Sequence, residues 1–132
     1  MPNNCLEDDK ESFRRIAKAL GKSEEWLKRG RGGDVWNWRG IRVENQPQRV
    51  TAINWDCDEE LSGEIPKELG QLTGLQSLYL HSNGLSGEIP KELGQLTGLG
   101  YLDLYTNKLS GEIPKELGQL TSLGYLDLPA IC

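Results

Sequence analysis

The sequence LSGEIPKELGQLTGLQSLYLHSNG, residues 61–84, sets the pattern of the second half of this chain. Residues 85–108 and 109–132 begin with the same segment, LSGEIPKELGQLT, so the pattern recurs every 24 residues. A repeat of roughly 20–50 residues is typical of a solenoid, in which each repeat packs on its neighbours. One repeat cannot bury its apolar side chains alone, and the core must therefore form between repeats.

Alternating leucines follow the shared segment in each repeat. Leu78 and Leu80 lie two positions apart, so both side chains point to the same side of a strand, which is the core side. The spacing predicts an α/β solenoid that is right-handed, with a parallel sheet on one side and short helical or 3-10 turns, from KELGQL, on the other. The strands are expected at residues 50–55, 75–80, 99–104 and 123–128.

The N-terminal part has no repeat and is predicted to be a helical cap. A first helix is expected to end near Gly21 and a second to begin at Ser23, while Trp36 and Trp38 cover the end of the core. The predicted domains are a cap at 1–48, a degenerate first strand and turn at 49–60, and repeats at 61–84, 85–108 and 109–132. The apolar residues behind these predictions are Phe13, Ile16, Ala17 and Leu20 in the first helix, and Val50, Ile53 and Trp55 in the degenerate strand.

Asn83 and Asn107 occupy the position at which each of two repeats leaves its strand. A side-chain amide at this position can bond backbone groups that the turn leaves unpaired. We expect the two residues to form an asparagine ladder, in which equivalent amides join neighbouring repeats.

Charge and composition exclude several classes of protein. The net charge of −5 argues against a nucleic-acid partner, because binding phosphates needs a concentrated basic face. No apolar segment is long enough to cross a membrane, and residues 2–12 do not resemble a signal peptide. The chain as written is therefore expected to be cytoplasmic, with no membrane partner.

The chain has three cysteines, Cys5, Cys57 and Cys132, and their spacing fits no zinc motif. No cofactor or metal site is expected. Free thiols are the first interpretation. A disulfide between Cys5 and Cys57 is the alternative, if the cap folds back on the first strand.

The string LSGEIPKELGQLTGLxxLxL resembles the plant-specific leucine-rich repeat of receptor-kinase ectodomains, polygalacturonase-inhibiting proteins and some algal and protist proteins. The resemblance covers residues 61–128 and implies a leucine-rich-repeat solenoid whose sheet lies on the concave face. It also implies a second strand at SGEIP, with Glu64, Glu88 and Glu112 stacked in one column. The three near-identical repeats fit either recent duplication or a consensus-built array.

The cap also resembles the N-terminal cap of that family at Trp38, Gly40 and Ile41. Val43 and Trp36 stand at or near the positions where the family has two disulfide-bonded cysteines. The resemblance therefore implies an apolar contact in place of the disulfide, which weakens the inference of a secreted origin.

Residues between the strand leucines are expected to point outward onto the concave face. They predict a binding surface for a protein or peptide, since tyrosine supplies rigid amphipathic contact area. The alternative is a structural repeat scaffold with no natural ligand. The predicted surface consists of Tyr79, His81, Tyr101, Asp103, Tyr105, Tyr125 and Asp127.

An enzyme is not expected, although Asp103 and Asp127 should lie about 5 Å apart on adjacent strands, near the spacing of a glycosidase carboxylate pair. An open sheet offers no pocket that excludes water and separates two pKa values, and no motif gives His81 a nucleophile partner. Ice or glycan-surface binding, known for some plant-type repeats, would need flat rows of Thr or Asn. The outward columns of the predicted strands contain no such rows.

The last repeat is predicted to leave part of the leucine core uncovered. Either the chain is a fragment, or this end packs against a partner or a second copy in a weak end-to-end homodimer. Pro129 opposes a continuous sheet across such a junction. The leucines concerned are Leu120, Leu123, Leu126 and Leu128.

Overall fold

The computed structural model describes residues 5–22, 41–45, 48–56 and 61–128. The predictions about a second helix from Ser23, about Trp36 and Trp38, and about Pro129 fall outside these residues. Cys57 and Cys132 also lie outside them, so the prediction of free thiols stays a prediction.

Two sheets run along the stacked repeats. The larger has five strands in the order β1-β2-β4-β6-β8, and the smaller has three in the order β3-β5-β7. Three 3-10 helices of identical sequence, KELGQ, follow the strands of the smaller sheet. The strands are β1 (Ile41–Asn45), β2 (Gln48–Asn54), β3 (Ser62–Glu64), β4 (Ser77–Tyr79), β5 (Gly84–Glu88), β6 (Tyr101–Asp103), β7 (Lys108–Ser110) and β8 (Tyr125–Asp127), and the 3-10 helices are Lys67–Gln71, Lys91–Gln95 and Lys115–Gln119.

The 24-residue register is preserved in the larger sheet. Leu78 pairs with Leu102, and Leu102 pairs with Leu126 on the next parallel strand. Leu78 and Leu102 are fully buried, as the solenoid prediction requires. Ile53 of the degenerate strand pairs with Leu78, so β2 takes the place of a repeat strand at the start of the stack.

The prediction of four parallel strands was incomplete because it missed β1. This strand pairs antiparallel with β2 and lies outside the 24-residue period, so no repeat pattern marks it in the sequence. Its residue Ile41 is buried in the core. The repeat strands are also shorter than expected, at three residues each.

The smaller sheet corrects a second expectation. Glu64 pairs with Ser86 and Glu88 with Ser110, so these glutamates do not face one another across the strands. Instead the Glu64 side chain lies over Gly87 of the next repeat, where an added Cβ would come within 2.8 Å of its Cγ. The predicted glutamate column is therefore wrong in detail, because Gly87 makes room for Glu64 and Gly111 makes room for Glu88.

One α-helix, α1 (Cys5–Ala19), packs against β2 and the first 3-10 helix at the N-terminal end of the repeats. Its face of Phe13, Ile16 and Ala17 is buried, and the Phe13 ring meets Trp55 edge-on at a centroid distance of 6.1 Å. Gly21, with φ +73°, follows the helix in the left-handed conformation typical of a helix end.

A buried carboxylate joins the helix to the sheet. Asp9 is 1% exposed and accepts a hydrogen bond of 2.9 Å from the backbone N–H of Val50. The Arg49 guanidinium also donates to both oxygens of Asp9 at 3.4 Å. Because a buried charge needs such partners, these bonds hold α1 in one position on the first repeat strand.

Candidate functional site

Asparagine amides hold the strand ends of neighbouring repeats together. The Asn83 side chain donates hydrogen bonds of 2.9 Å to the carbonyl oxygens of Trp55 and Leu80. Asn107 makes the equivalent bonds one repeat later, to Leu80 at 2.8 Å and Leu104 at 3.0 Å. Each amide therefore bonds backbone groups of its own repeat and of the preceding one. These bonds fix the position of each repeat strand, and so of its outward-facing residues, relative to the preceding strand.

The strand pairing arranges the outward residues of the larger sheet in two rows. One row contains Arg42, Ala52, Ser77, Tyr101 and Tyr125, and the other contains Asn54, Tyr79, Asp103 and Asp127. Side chains that are paired across strands point to the same face. We call the surface formed by these two rows the tyrosine face.

Three aromatic rings stack on the tyrosine face. The rings of Tyr101 and Tyr125 are parallel within 3°, with centroids 4.1 Å apart. Tyr79, from the second row, meets Tyr101 at 4.5 Å and an angle of 37°. These residues form a continuous tyrosine stack over strands β4, β6 and β8. Tyr125 is its most exposed member at 41%.

Two carboxylates lie beside the tyrosine stack. Asp127 accepts a hydrogen bond of 3.2 Å from the Tyr125 hydroxyl. Asp103 is only 7% exposed and accepts a hydrogen bond of 3.1 Å from the backbone N–H of Tyr105. Within the described ranges, no lysine, arginine or histidine forms an ion pair with either carboxylate.

The neighbouring groups change the ionisation of Tyr125. The Tyr101 hydroxyl, and after it Asp127, raise the pKa of Tyr125 to about 12. The neutral phenol is favoured because its proton is held in a hydrogen bond and because negative charge lies close to it. This part of the tyrosine face therefore disfavours additional negative charge.

His81 contacts Asp56 and Ser82 at the edge of the face, and its Nδ1 lies 2.8 Å from the Ser82 hydroxyl, a partner that the sequence analysis did not predict. The backbone N–H of His81 donates to Asp56 at 2.8 Å, and His81 Nε2 lies 3.1 Å from the other carboxylate oxygen. Burial raises the pKa of Asp56, and the hydrogen bond and charge of His81 partly offset that effect. The contact joins the turn after β2 to the turn after β4.

The predicted surface residues therefore do not form one continuous group. Tyr79, Tyr101 and Tyr125 stack together with Asp103 and Asp127 beside them. His81 belongs instead to the pair with Asp56. Tyr105 is 53% exposed, and it lies in the turn after β6, outside the two rows of the face.

A row of threonines was missed by the prediction from sequence. Thr73, Thr97 and Thr121 are all exposed and occupy equivalent places in the turn before each repeat strand. The Arg49 guanidinium donates a hydrogen bond of 2.8 Å to Thr73 at the start of this row. The 24-residue register alone places these residues in one column, but the prediction considered only strand positions.

A broad groove of about 1250 Å³ lies along the smaller sheet and the 3-10 helices. Six glutamates and three lysines line it in adjacent columns, so the lysines offset only half of the carboxylates and the groove carries an excess of negative charge. The charged residues are Glu64, Glu88, Glu112, Lys67, Lys91, Lys115, Glu68, Glu92 and Glu116.

Neither a metal site nor a membrane span is present in the described part of the chain. No group of three or more His, Cys, Asp or Glu residues is arranged there to hold a metal ion. No helix in the same residues is long and apolar enough to cross a bilayer.

Comparison with known proteins shows similarity to plant repeat proteins. The Leucine Rich Repeat family model matches residues 74–96 and 98–120. The LRR receptor-like serine/threonine-protein kinase FEI 2 of Arabidopsis thaliana is 39% identical over 52 residues, which are 39% of this chain and 9% of the kinase. The chain thus spans a small part of that relative.

Solved structures extend the similarity over almost the whole chain. The crystal structure of a plant ice-binding protein superposes with a TM-score of 0.87 at 30% identity, over 98% of this chain and 43% of that one. The plant peptide hormone receptor RGFR1 in complex with RGF2 matches with a TM-score of 0.57 at 37% identity, over 61% of this chain and 13% of the receptor. Together with the stacked 24-residue repeats and the asparagine hydrogen bonds, these similarities show that the chain folds as a leucine-rich-repeat solenoid with repeats of the plant type.

Proposed function

We propose that this chain is a recognition module without catalytic activity, which binds a protein or peptide on the tyrosine face. The tyrosine stack is the observation that carries the proposal. Exposed aromatic residues that are held rigid lose little conformational entropy on binding, and they dominate the energy of many recognition surfaces. The similarity to a peptide hormone receptor in complex with RGF2 supports a ligand of this class.

The position of the carboxylates argues against hydrolysis. Asp103 is 7% exposed, and its carboxylate is held by the Tyr105 N–H. A glycosidase pair needs both carboxyl groups accessible to the scissile bond, one of them as a proton donor. Asp103 is too enclosed to take either role, so the pair at Asp103 and Asp127 does not support hydrolysis.

Selection from a displayed library of random dodecapeptides tests the proposal. Peptides are selected on the wild-type protein and then tested on Tyr101→Ser, which removes the central ring of the tyrosine stack. We expect most selected peptides to lose at least tenfold in affinity for this variant. Tyr105→Ser is the matched control, because Tyr105 is exposed but lies outside the stack.

Peptides that bind Tyr101→Ser as well as the wild type would show that the tyrosine face is not the binding surface. Unfolding curves of both variants ensure that a loss of binding does not reflect a loss of structure. A folded protein that selects no peptide would favour a structural scaffold without a ligand.

Ice binding is a second candidate, favoured by the similarity to a plant ice-binding protein and by the exposed row of Thr73, Thr97 and Thr121. Inhibition of ice recrystallisation measures it directly. Thr97→Lys places a charge in the centre of the row and should abolish inhibition, whereas Thr106→Lys, at an exposed position outside the row, should leave it unchanged. A wild-type protein without inhibition removes this candidate.

A further inference from the structure

The charges on the tyrosine face are separated along its length. Arg42 is exposed on β1 at one edge of the larger sheet, and its row ends at Tyr125 on β8 at the opposite edge. Asp127 lies beside Tyr125 on that strand, and Asp103 lies on the neighbouring strand. The face therefore presents the Arg42 guanidinium at its β1 edge and the carboxylates of Asp103 and Asp127 on β6 and β8.

The carboxylates on β6 and β8 have no internal counter-charge. Among the described residues, no cationic side chain forms an ion pair with Asp103 or Asp127, and Asp103 is almost fully buried. A carboxylate removed from water is stabilised when a cation or a hydrogen-bond donor is placed against it. Asp127 is the more accessible of the two carboxylates, and a ligand with a basic group would place a positive charge against it.

The geometry of the tyrosine stack restricts where a flat group can bind. Because the rings of Tyr101 and Tyr125 are parallel at 4.1 Å, each covers one face of the other. The stack presents mainly ring edges above the sheet, and Tyr125, at 41% exposure, is the member with the most accessible ring surface. A planar cation on that ring would extend the stack and lie close to Asp127.

Arginine fits this position better than lysine or a sugar. Its guanidinium is planar, stacks on aromatic rings and donates several hydrogen bonds in one plane to a carboxylate. A lysine ammonium is compact and strongly hydrated, so it gains less from a ring face. A pyranose ring would need a broad uncovered aromatic surface, and the mutual stacking of the tyrosines hides most of that surface.

The dimensions of the face fit a short extended chain. Five strands with a spacing of about 4.8 Å place β1 and β8 about 19 Å apart, a distance that an extended peptide covers with roughly six residues at about 3.3 Å per residue. A ligand that crosses the strands can therefore reach Arg42 and Asp127 at once.

We propose that the tyrosine face binds an extended peptide that crosses the five strands, with an arginine side chain on Tyr125 and Asp127 and an acidic group near Arg42. This inference rests on the proposed function and specifies its ligand. The separation of charge fixes the direction of the peptide, because the reverse direction would place like charges together at both edges.

The dodecapeptide selection tests the composition of the ligand. Peptides that depend on Tyr101 should contain arginine at least three times as often as the unselected library. In a selected peptide, replacement of the critical arginine by citrulline keeps the planar shape and removes the charge. We expect a loss of affinity of about fivefold or more, measured by isothermal titration calorimetry, and an intermediate loss for replacement by lysine.

Variants of the protein locate the contact. Asp127→Asn keeps the shape of the side chain, and it should weaken the arginine peptide about fivefold while leaving the citrulline peptide almost unchanged. Arg42→Gln should weaken peptides that carry an acidic residue at the far end and not those in which that residue is replaced by glutamine. Asp9 and Arg49 are left untouched because they hold the cap.

The outcomes separate this inference from the proposed function. Peptides that depend on Tyr101 but are not enriched in arginine, or that bind equally well with citrulline, would overturn the inference and leave a peptide-binding face. Peptides that bind Tyr101→Ser unchanged would overturn both. An equal effect of Asp127→Asn on the arginine and citrulline peptides would also overturn the inference. It would show that Asp127 does not interact with the positive charge of the arginine.

Discussion

The side-chain amide of Asn107 lies 2.8 Å from the carbonyl oxygen of Leu80, which belongs to the preceding repeat. Its oxygen accepts a hydrogen bond of 3.2 Å from the backbone N–H of Leu85. One side chain thus satisfies backbone groups on both sides of the turn, and Asn83 makes equivalent donor contacts one repeat earlier. The spacing of repeats is held by these polar contacts as well as by the leucine core.

Replacement of Asn107 by Leu should lower the free energy of unfolding by about 1–3 kcal/mol, because Leu cannot bond the carbonyl oxygens of Leu80 and Leu104. Urea unfolding followed by circular dichroism measures the change. Lys108→Leu is the control, since it adds the same side chain at the adjacent exposed position and should change stability by less than about 0.5 kcal/mol. Equal stability of Asn107→Leu and wild type would contradict a structural role for these contacts.

Periodicity predicts the repeat core well but not its surroundings. The pairing of Leu78 with Leu102 follows from the 24-residue register, because equivalent residues of adjacent repeats must face the same neighbours. β1 could not be predicted in this way, because it lies outside the period and pairs antiparallel. Its residues Ile41 and Val43 were interpreted as cap residues with no secondary structure assigned to them.

The sequence predicted which residues of the candidate surface are neighbours, but it did not predict which side chains are in contact. The register places Tyr101 beside Tyr125 and Asp103 beside Asp127. Tyr79 lies in the second row but stacks on Tyr101 of the first row. This contact depends on side-chain rotamers, which no repeat pattern specifies. The register likewise aligns Asp56 with His81, but the contact between their side chains was not predicted, for the same reason.

Glycines in the 3-10 helices give a matched pair of substitutions. An added Cβ at Gly94 would lie 2.5 Å from the carbonyl oxygen of Glu116, whereas at Gly118, in the same KELGQ sequence, it would have no neighbour within 4 Å. Gly94→Ala should therefore destabilise the protein by about 1–3 kcal/mol through overpacking. Gly118→Ala should be neutral, or stabilising by up to about 1 kcal/mol, because it restricts the unfolded chain.

Thermal unfolding of the two glycine variants decides this prediction. Both substitutions add one methyl group to the same local sequence, so the difference between them reports the contact with the next repeat. A similar melting temperature for Gly94→Ala and Gly118→Ala would show that the spacing between the second and third 3-10 helices adjusts freely.

Tyr125 should ionise at a higher pH than an ordinary tyrosine, whose pKa is about 10. Its pKa is raised to about 12 by Tyr101 first and then by Asp127. Because the folded state holds the proton more tightly than the unfolded state, the resulting stabilisation is complete below about pH 10, the unfolded value. It is lost as the pH rises toward about 12. Absorbance at the phenolate band during a pH titration should show a late step, meaning one tyrosine that ionises at a higher pH than the others.

Two variants assign that step. Tyr125→Phe should remove the late step, and Asp127→Asn should move it to lower pH by removing a nearby negative charge. Tyr105→Phe is the control and should leave the late step unchanged, because Tyr105 lies outside the tyrosine stack. Persistence of the late step in Tyr125→Phe would show that another tyrosine is responsible.

The last repeat should support weak self-association. Leu126 is 46% exposed and Ile113 is 52% exposed, whereas their equivalents Leu102 and Ile89 are buried in the preceding repeat. Leu120 was predicted to share this exposure, but it is buried because the third 3-10 helix covers it. A two-fold contact between two copies would cover both apolar surfaces with one self-complementary interface, held by side chains rather than by a continuous sheet.

Sedimentation velocity under reducing conditions measures this association without a contribution from disulfides. We expect the average mass to rise with concentration in the high micromolar range. Leu126→Gln should abolish the rise, because it places a polar side chain in the exposed apolar surface. Thr97→Gln, at an exposed position in the preceding repeat, should not. If the wild-type protein remains monomeric throughout that range, the leucines of the last repeat do not form an interface between copies, and their exposure has no role in assembly.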